Sequence, residues 1–521
     1  MDARIDSRPS TGYLTDVAYI PGFYPNLATV AIRYVAALNR VAPPRGDRFR
    51  YLELGCGLGR SLTTLAAAHP AAEFVGVDIN PEHTAIASRE IAAGSLSNAR
   101  VITSGFGDLP ADLGTFEYVA LHGVFSWVAP EVCEQILDVA RRHLAPGGLL
   151  VVSYNSMPGW AHLQPIRGIL RQYAALRTGD SLQRIRDALA YLVFIRDRQA
   201  KYFVDNPNAS AYVDALLKQD IRYLAHEYLN EHWTSFYFSE VAGMFGGAGL
   251  TFAGSLPVHT NFWDLCVRPE FQELFRTTND RLVTEAHKDF CANTAFRWDV
   301  YAKAPRLLAG LDDRLAIADD IHVRLSRPGA TLPYQANLGV VTSTLQGALY
   351  EALVARLAAG SQPLSALLSD PRPAGAARDD IARAIDAGVA TGLFDLAAGA
   401  VPPAPAHAPD RVTLPCPFNR AVLASDALGG RPVALASTTT GTGHSIGDLD
   451  AAILLELVEG GPDGLADRVN ARLTASGRSL QRDGKPVVDS AERVRLVQES
   501  CTAFCGTSLP QLVQLGVAVG A

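Results

Sequence analysis

Lysine is almost missing from this chain: only five of its 46 basic residues are lysine. Alanine, glycine and proline are abundant instead, which reads as a genomic composition bias and carries no functional message. No dense basic run is present, and the formal charge is −7 with a pI near 6.0. That balance argues against a nucleic-acid groove as the main surface. Cysteine is sparse as well. The seven residues at 56, 133, 266, 291, 416, 501 and 505 form no C-x-x-C pair and no Cys/His metal spacing. Neither a metal site nor a disulfide framework is expected, and a reducing cytoplasm fits. No apolar run approaches the length of a membrane span, and the opening segment MDARIDSRPS has no apolar core. The expectation is therefore no membrane anchor and no signal peptide. What the chain does hold is a hydrophobic share of 48%. That is ample for buried cores, and the length allows about three or four domains.

The most informative segment is YLELGCGLG at 51 to 59, followed by VGVD ending at Asp78. A short apolar strand runs into a Glu-x-Gly-x-Gly-x-Gly turn, then a helix, then a strand that ends in an acid. Glycines at 55, 57 and 59 let the backbone turn tightly and approach a ligand where a side chain would collide. Asp78 stands where an acid can hold both hydroxyls of a ribose. A nucleoside-containing cofactor is expected over Gly55, Gly57 and Gly59. A dinucleotide site would want G-x-G-x-x-G, with its pyrophosphate on the helix N-terminus. Here Glu53 precedes the glycines and would repel a pyrophosphate, whereas it favours an ammonium group. S-adenosyl-L-methionine has an ammonium, a sulfonium and no phosphate, so the sequence points to that cofactor.

The segments that follow agree. A helix over 81–92, a strand over 100–103 and the loop SGFGDLP at 104 to 110 come next. In such a fold this loop packs on the adenine. Phe106 can stack on the ring, and Asp108 can accept from the adenine amine or serve only as a cap or a solvated acid. A strand over 116–121 ends at His122, a helix over 130–143 leads to the turn APGG, and the strand LLVVSYN closes at Asn155. Alternating apolar strands and amphipathic helices predict an α/β fold with a parallel sheet covered on both faces.

One more helix and a final strand pair are needed and do not follow directly. Residues 163 to 230 read as helices, with Leu182, Ile185, Leu189 and Leu192 on one face and Val213, Leu217, Ile221, Leu224 and Tyr228 on another. A helix ending at Gly246-Gly247, the strand LTFAGSLPV at 250 to 258 and FWDLCV at 262 to 267 would complete the sheet. The region 163–235 is thus a helical insertion at the carboxyl edge of the strands, placed to form a lid, a substrate wall or a dimer surface. The run from 270 to 310 reads as helical and charged. Apolar helices at 345–358 and 379–392 before LFDL fit a winged-helix unit, whose acidic, alanine-rich second helix argues against DNA. AAGAVPPAPAHAPDR at 397 to 411 is a Pro/Ala linker, and a last domain runs from 412 to 521 with helices near 448–459, 463–475 and 490–515.

Residues 51 to 160 resemble a class I S-adenosylmethionine-dependent methyltransferase domain with a Rossmann-like seven-stranded sheet. LHGVFSWV, VVSYNSMPGW, YLAHEYLNEHWTSFYFSE at 223 to 240 and DFCANTAFR at 289 to 297 are similar to a bacterial subgroup with a methyltransferase regulatory domain downstream. The resemblance implies a core over 1–162 and completion of the sheet with a regulatory segment over 236–300; the residue pattern beyond it gives a mainly helical region over 301–396. It also implies a protein-lysine substrate, such as an outer-membrane protein; a small molecule, or a cofactor-binding regulator that is no enzyme, are the alternatives. There is no N-P-P-Y motif, which argues against base amines. A lysine amine, with a pKa of about 10.4, must lose a proton before it can accept a methyl. His122 can serve as a base or hold the cofactor carboxylate, and Tyr154 and Asn155 can orient an amine or merely finish the strand. Trp127 and Trp160 belong to core or pocket, and Tyr13 and Tyr19 can fold over the cofactor.

Overall fold

The computed structural model describes residues 22–318, 320–369, 371–482, 485–487 and 489–520. Tyr13 and Tyr19 lie outside the described residues. Helix α1 (Thr29–Leu38) precedes β1 (Arg50–Leu54), α2 (Arg60–Ala68), β2 (Glu73–Asp78), α3 (Pro81–Ala93), β3 (Ala99–Thr103), β4 (Phe116–Leu121), α4 (Pro130–His143) and β5 (Leu144–Asn155). The alternation is what the apolar pattern requires. Strands β1, β2 and β4 are nearly continuous apolar runs and are buried along almost their whole length, as central parallel strands must be.

After β5 come α5 (Gln164–Ala175), α6 (Ser181–Asp197), α7 (Lys201–Asp205), α8 (Pro207–Leu216) and α9 (Ile221–Leu229). These helices enclose a core of their own, including Ile166, Leu170, Ile185, Leu192, Val213, Leu224 and Tyr228. The apolar face read from 213 to 228 is split between two helices. Asp220 caps α9 by accepting from Arg222 N–H (2.8 Å), and Leu217, at the break, is 48% exposed. Both ends of this helical group are stitched to the end of β5. Phe236 N–H donates to Asn155 O, and Met157 N–H donates to Phe236 O, each at 2.9 Å.

The chain then returns through α10 (Phe238–Gly247) and β6 (Leu250–Leu256). FWDLCV, expected to pair with β6, instead forms the single turn α11 (Trp263–Cys266). Helices α12 (Gln272–Thr277) and α13 (Arg281–Ala292) follow, and the last strand is β7 (Phe296–Lys303), in a stretch that reads as helical. The sheet order is β3-β2-β1-β4-β5-β7-β6, with β1 to β5 parallel and β7 antiparallel to both neighbours. Charge hid β7. Trp298, Val300 and Ala302 join the core around α1, while Arg297 and Asp299 point the other way and are also buried. Arg297 pairs there with Glu285 (2.8 Å), Asp289 (2.7 Å) and Asp299 (2.9 Å), and Lys288 pairs with Glu285 (2.6 Å). Burial would raise the Glu285 carboxyl, but Lys288 and Arg297 pull it down to about 2. Buried charges that satisfy one another replace the apolar alternation that marks an ordinary strand.

The remaining chain runs through α14 (Leu311–Ala318), β8 (His322–Leu325), β9 (Tyr334–Asn337), β10 (Thr342–Leu345), α15 (Ala348–Ala358), β11 (Gln362–Pro363), α16 (Leu364–Leu367), α17 (Arg378–Thr391) and β12 (Phe394–Ala397). β11, β8 and β12 form an antiparallel sheet beside α15, α16 and α17. IHVRLSRPGATL therefore contains a strand, not only turns. Beyond lie α18 (Pro417–Asp426), the hairpin of Val433–Ser437 with Thr442–Ile446, and the helices Asp448–Gly460, Leu465–Ala475 and Ser490–Ala503. This last unit packs on α2, all nine residues of which are buried. Arg60 reaches Asp426 (2.6 Å), and the His69 ring nitrogen lies 2.9 Å from Gly441 O. Among the described residues no helix is long and apolar enough to cross a membrane.

Candidate active site

The carboxyl ends of β1, β2, β4 and β5 open on a cavity of about 660 Å³. Gly55, Gly57 and Gly59 turn the chain from β1 into α2 with φ of +69°, +54° and +81°. A Cβ at Gly57 would meet no atom within 4 Å, so the backbone there faces open space in the cavity. Asp78 is aimed back across the turn. Its Oδ2 accepts from Gly57 N–H (2.8 Å), its Oδ1 accepts from Asn80 N–H (2.9 Å), and His83 Nδ1 lies 3.3 Å from Oδ1.

Glu53 is buried beneath these glycines, and among the described residues its Oε2 has no hydrogen-bond partner. Burial, with Asp78 adding repulsion, pushes its carboxyl up to about 8. A buried carboxylate oxygen without a donor is strained alone and satisfied by an incoming ammonium. Together with the open backbone at Gly57, this donor set fits S-adenosylmethionine. Phe106 lines the cavity in a half-buried position, and Asp108 lines it from an exposed one.

His122 also lines the cavity. Its ring stacks on Trp298 with centroids 4.2 Å apart, and Tyr24 covers the other side at 3.8 Å. The Nδ1 atom lies 2.7 Å from Ser153 Oγ, which accepts from Gly123 N–H at 3.1 Å. Burial lowers its pKa to about 3, so it is neutral at pH 7 and a weak proton acceptor. Tyr154 requires a correction. It is fully buried and does not line the cavity; its hydroxyl donates to Asp299 Oδ2 at 2.5 Å. Successive side chains of a strand point to opposite faces, so only one of Tyr154 and Asn155 can reach the cavity. It is Asn155, which lines it and is buried.

Trp127 and Trp160 both reach the cavity. Sequence reasoning missed Tyr24 and most of the wall from the helical insertion: Tyr212, Tyr223, His226, Glu227 and Asn230. A signal was present. Tyr223 with Glu227, and His226 with Asn230, are four apart on or beside α9, so each pair shares a face. Burial raises the Glu227 carboxyl to about 7, against the pull of Asn155, Arg167, Trp233 and Tyr223.

Known proteins bear on this geometry. Residues 52–148 match a family model described as a methyltransferase domain, and residues 220–303 match one described as a predicted methyltransferase regulatory domain. The chain is a class I S-adenosylmethionine-dependent methyltransferase. This methyltransferase is 28% identical over 512 residues to the uncharacterized protein sll1526 of Synechocystis, covering 97% of the chain and 99% of that protein. It is 30% identical over 270 residues to the uncharacterized protein RP789 of Rickettsia prowazekii, covering 50% of the chain and 47% of that protein. Its fold matches the structure of PKMT2 from Rickettsia typhi in complex with AdoHcy, with a TM-score of 0.72 and 20% identity. That match covers 96% of this methyltransferase and 100% of the Rickettsia chain.

Proposed function

We propose that this methyltransferase acts on lysine side chains of a protein substrate. One observation carries the reading: the wall facing the cofactor cradle is lined by Trp160, Tyr212 and Tyr223 around the buried acid Glu227. Aromatic faces with a carboxylate suit an alkylammonium end. The likeness to Rickettsia typhi PKMT2 over nearly the whole chain supports it, and the family resemblance adds an outer-membrane protein as the kind of substrate. Seven free cysteines fit action in the reducing cytoplasm.

S-adenosylmethionine supplies an electrophilic methyl when bound. The chain's own part is to hold, orient and exclude water. Glu53 accepts from the ammonium of the cofactor, Asp78 from its ribose hydroxyls, and the backbone at Gly57 gives it room. Phe106 and Asp108 flank the adenine. His122, neutral and pinned between Tyr24 and Trp298, positions without taking a proton. Asn155 faces the amine from the end of β5.

A second reading, a small-molecule amine, is favoured by the cavity volume, which falls within the range of small-ligand sites, about 300–1,000 Å³. Transfer of labelled methyl from the cofactor into a cell lysate, split into protein and small-molecule fractions, separates the two. The expected result is label in protein, recovered as methyl-lysine after acid hydrolysis. Label confined to the small-molecule fraction would overturn the lysine reading.

A further inference from the structure

Besides Glu53 and Asp78, the cavity holds a third buried acid, one that the cofactor does not need. Glu227 is 7% exposed on α9 and shares the cavity with Glu53 and Asn155. The cation acting on it is Arg167, but that guanidinium is engaged elsewhere. Arg167 Nη2 donates to Asn230 O at 2.5 Å, and its plane lies over the Trp233 ring at 5.2 Å. Asn155 Nδ2 and Trp233 Nε1 approach Glu227 without closing a regular hydrogen bond. Tyr24 connects the two acids: it feels the charge of Glu53 on one side and acts on Tyr223, beside Glu227, on the other. Glu53, Tyr24 and Glu227 thus line one cavity.

We propose that Glu227 receives the terminal ammonium of the substrate and takes its proton, which makes the substrate class a primary alkyl amine entering along Tyr212 and Tyr223. The proposal rests on the lysine reading above. The proton passes from R–NH3+ to the Glu227 carboxylate, leaving R–NH2 with a free lone pair and a carboxylic acid on Glu227. That pair forms the new N–C bond as the methyl–sulfur bond breaks and its electrons stay on sulfur. The product leaves as R–NH2+–CH3, and Glu227 returns its proton to water. Burial suits the acid to this task, since a carboxyl held near 7 takes a proton more readily than a surface one. Burial lowers the amine from its solution value of about 10.4 and narrows the gap.

The test uses the full chain saturated with S-adenosylhomocysteine, titrated by calorimetry with n-butylamine and with 1-butanol, which has the same shape without the charge. Glu227→Gln is expected to weaken n-butylamine at least about tenfold, the loss of a charge-assisted contact. The 1-butanol affinity and the S-adenosylhomocysteine affinity stay unchanged, whereas a merely structural acid would move all three affinities together. Equal n-butylamine affinity in variant and wild type would overturn the proposal. Should the variant not fold, the wild-type pH series decides. The groups facing Glu227 are Arg167 of α5, Tyr212 of α8, and Tyr223 and Tyr228 of α9, with His226 lining the same cavity. Burial raises all three tyrosines, Tyr212 to about 12, and Arg167 is held at about 10. Affinity for n-butylamine, but not for 1-butanol, should therefore rise from pH 6 to pH 8 as Glu227 ionises, and repeating the series in His226→Gln separates the two groups. A flat series would overturn the proposal. The two readings fail differently. Methyl-lysine formed by a Glu227→Gln protein that binds amine normally sinks this inference alone. Label absent from protein, with amine binding still lost in the variant, sinks only the lysine reading.

Discussion

Glu53 and Glu227 are buried acids on one cavity, yet the chain delivers them by different means. Glu53 lies two residues before a glycine turn, and the charge that acts on its carboxyl, Asp78, lies only 25 residues on. Glu227 lies on α9, held by helices whose core is separate from that of the sheet. The cofactor side is built from local backbone conformation, and the substrate side from tertiary packing. Damage to the first should appear as lost cofactor binding, and damage to the second as lost turnover with binding kept.

The sharpest test of that division is Gly57→Val. Its φ of +54° strains an L residue by about 1–2 kcal/mol, and its side chain would fill the open space at the turn. Affinity for S-adenosylhomocysteine should fall by more than roughly a hundredfold while circular dichroism stays native; normal binding with a lower melting point would mean the glycine serves only the turn. Next comes deletion of 163–230 with a short glycine linker from Trp160 to Phe236. The bridge from Ser156 to Phe236 already closes that gap. Cofactor affinity should change little and methyl transfer should disappear. Full-rate methylation by the shortened protein would move specificity to the later units.

Asp78→Ala should weaken S-adenosylhomocysteine by about 1.5–3 kcal/mol in calorimetry, because a charged acceptor is lost. Unchanged affinity would mean that the ribose is held elsewhere. Tyr154→Phe removes the bond to Asp299 and should lower stability by about 1–2 kcal/mol with kcat and cofactor affinity unaltered. A fall in kcat at unchanged Tm would restore Tyr154 to the chemistry.

The smallest effect is a slope with pH. Glu53 and Glu227 are raised to about 8 and about 7, above their unfolded values, so the folded protein binds their protons more tightly. Their contribution to stability is greatest below the unfolded pKa of about 4.3 and is lost as pH climbs towards 8. Without cofactor, wild-type Tm should drop from pH 6 to pH 8 by more than that of Glu53→Gln. Parallel curves would show that Glu53 does not titrate there.

Legibility in the sequence followed the same divide. The turn at 53 to 59 and Asp78 could be read because glycine and acid spacing is a local matter, and β4 and α4 because their periodicity is regular. Strand β7 could not, since its buried Arg297 is neutralised by Glu285 and Asp289 of another element and by Asp299 two residues on. Tyr154 looked like a site residue because it stands near the end of β5, but Asn155 beside it occupies the face that lines the cavity. Glu227 shares a helix face with Tyr223 by their four-residue spacing, but that spacing alone does not say that the face turns towards the cavity.

The covering of α2 has a consequence for how the molecule is made. The helix that receives the glycine turn is closed by partners far down the chain, with His69 meeting Gly441 across 372 residues. At translation speeds of about 5–20 residues per second, that partner emerges on the order of 20 to 70 s after the helix itself. Until then the outer face of α2, with Ala67 and Ala68, lies bare. A nascent chain stalled before residue 433 should therefore recruit chaperones, and the cofactor turn matures late in synthesis although it is encoded early.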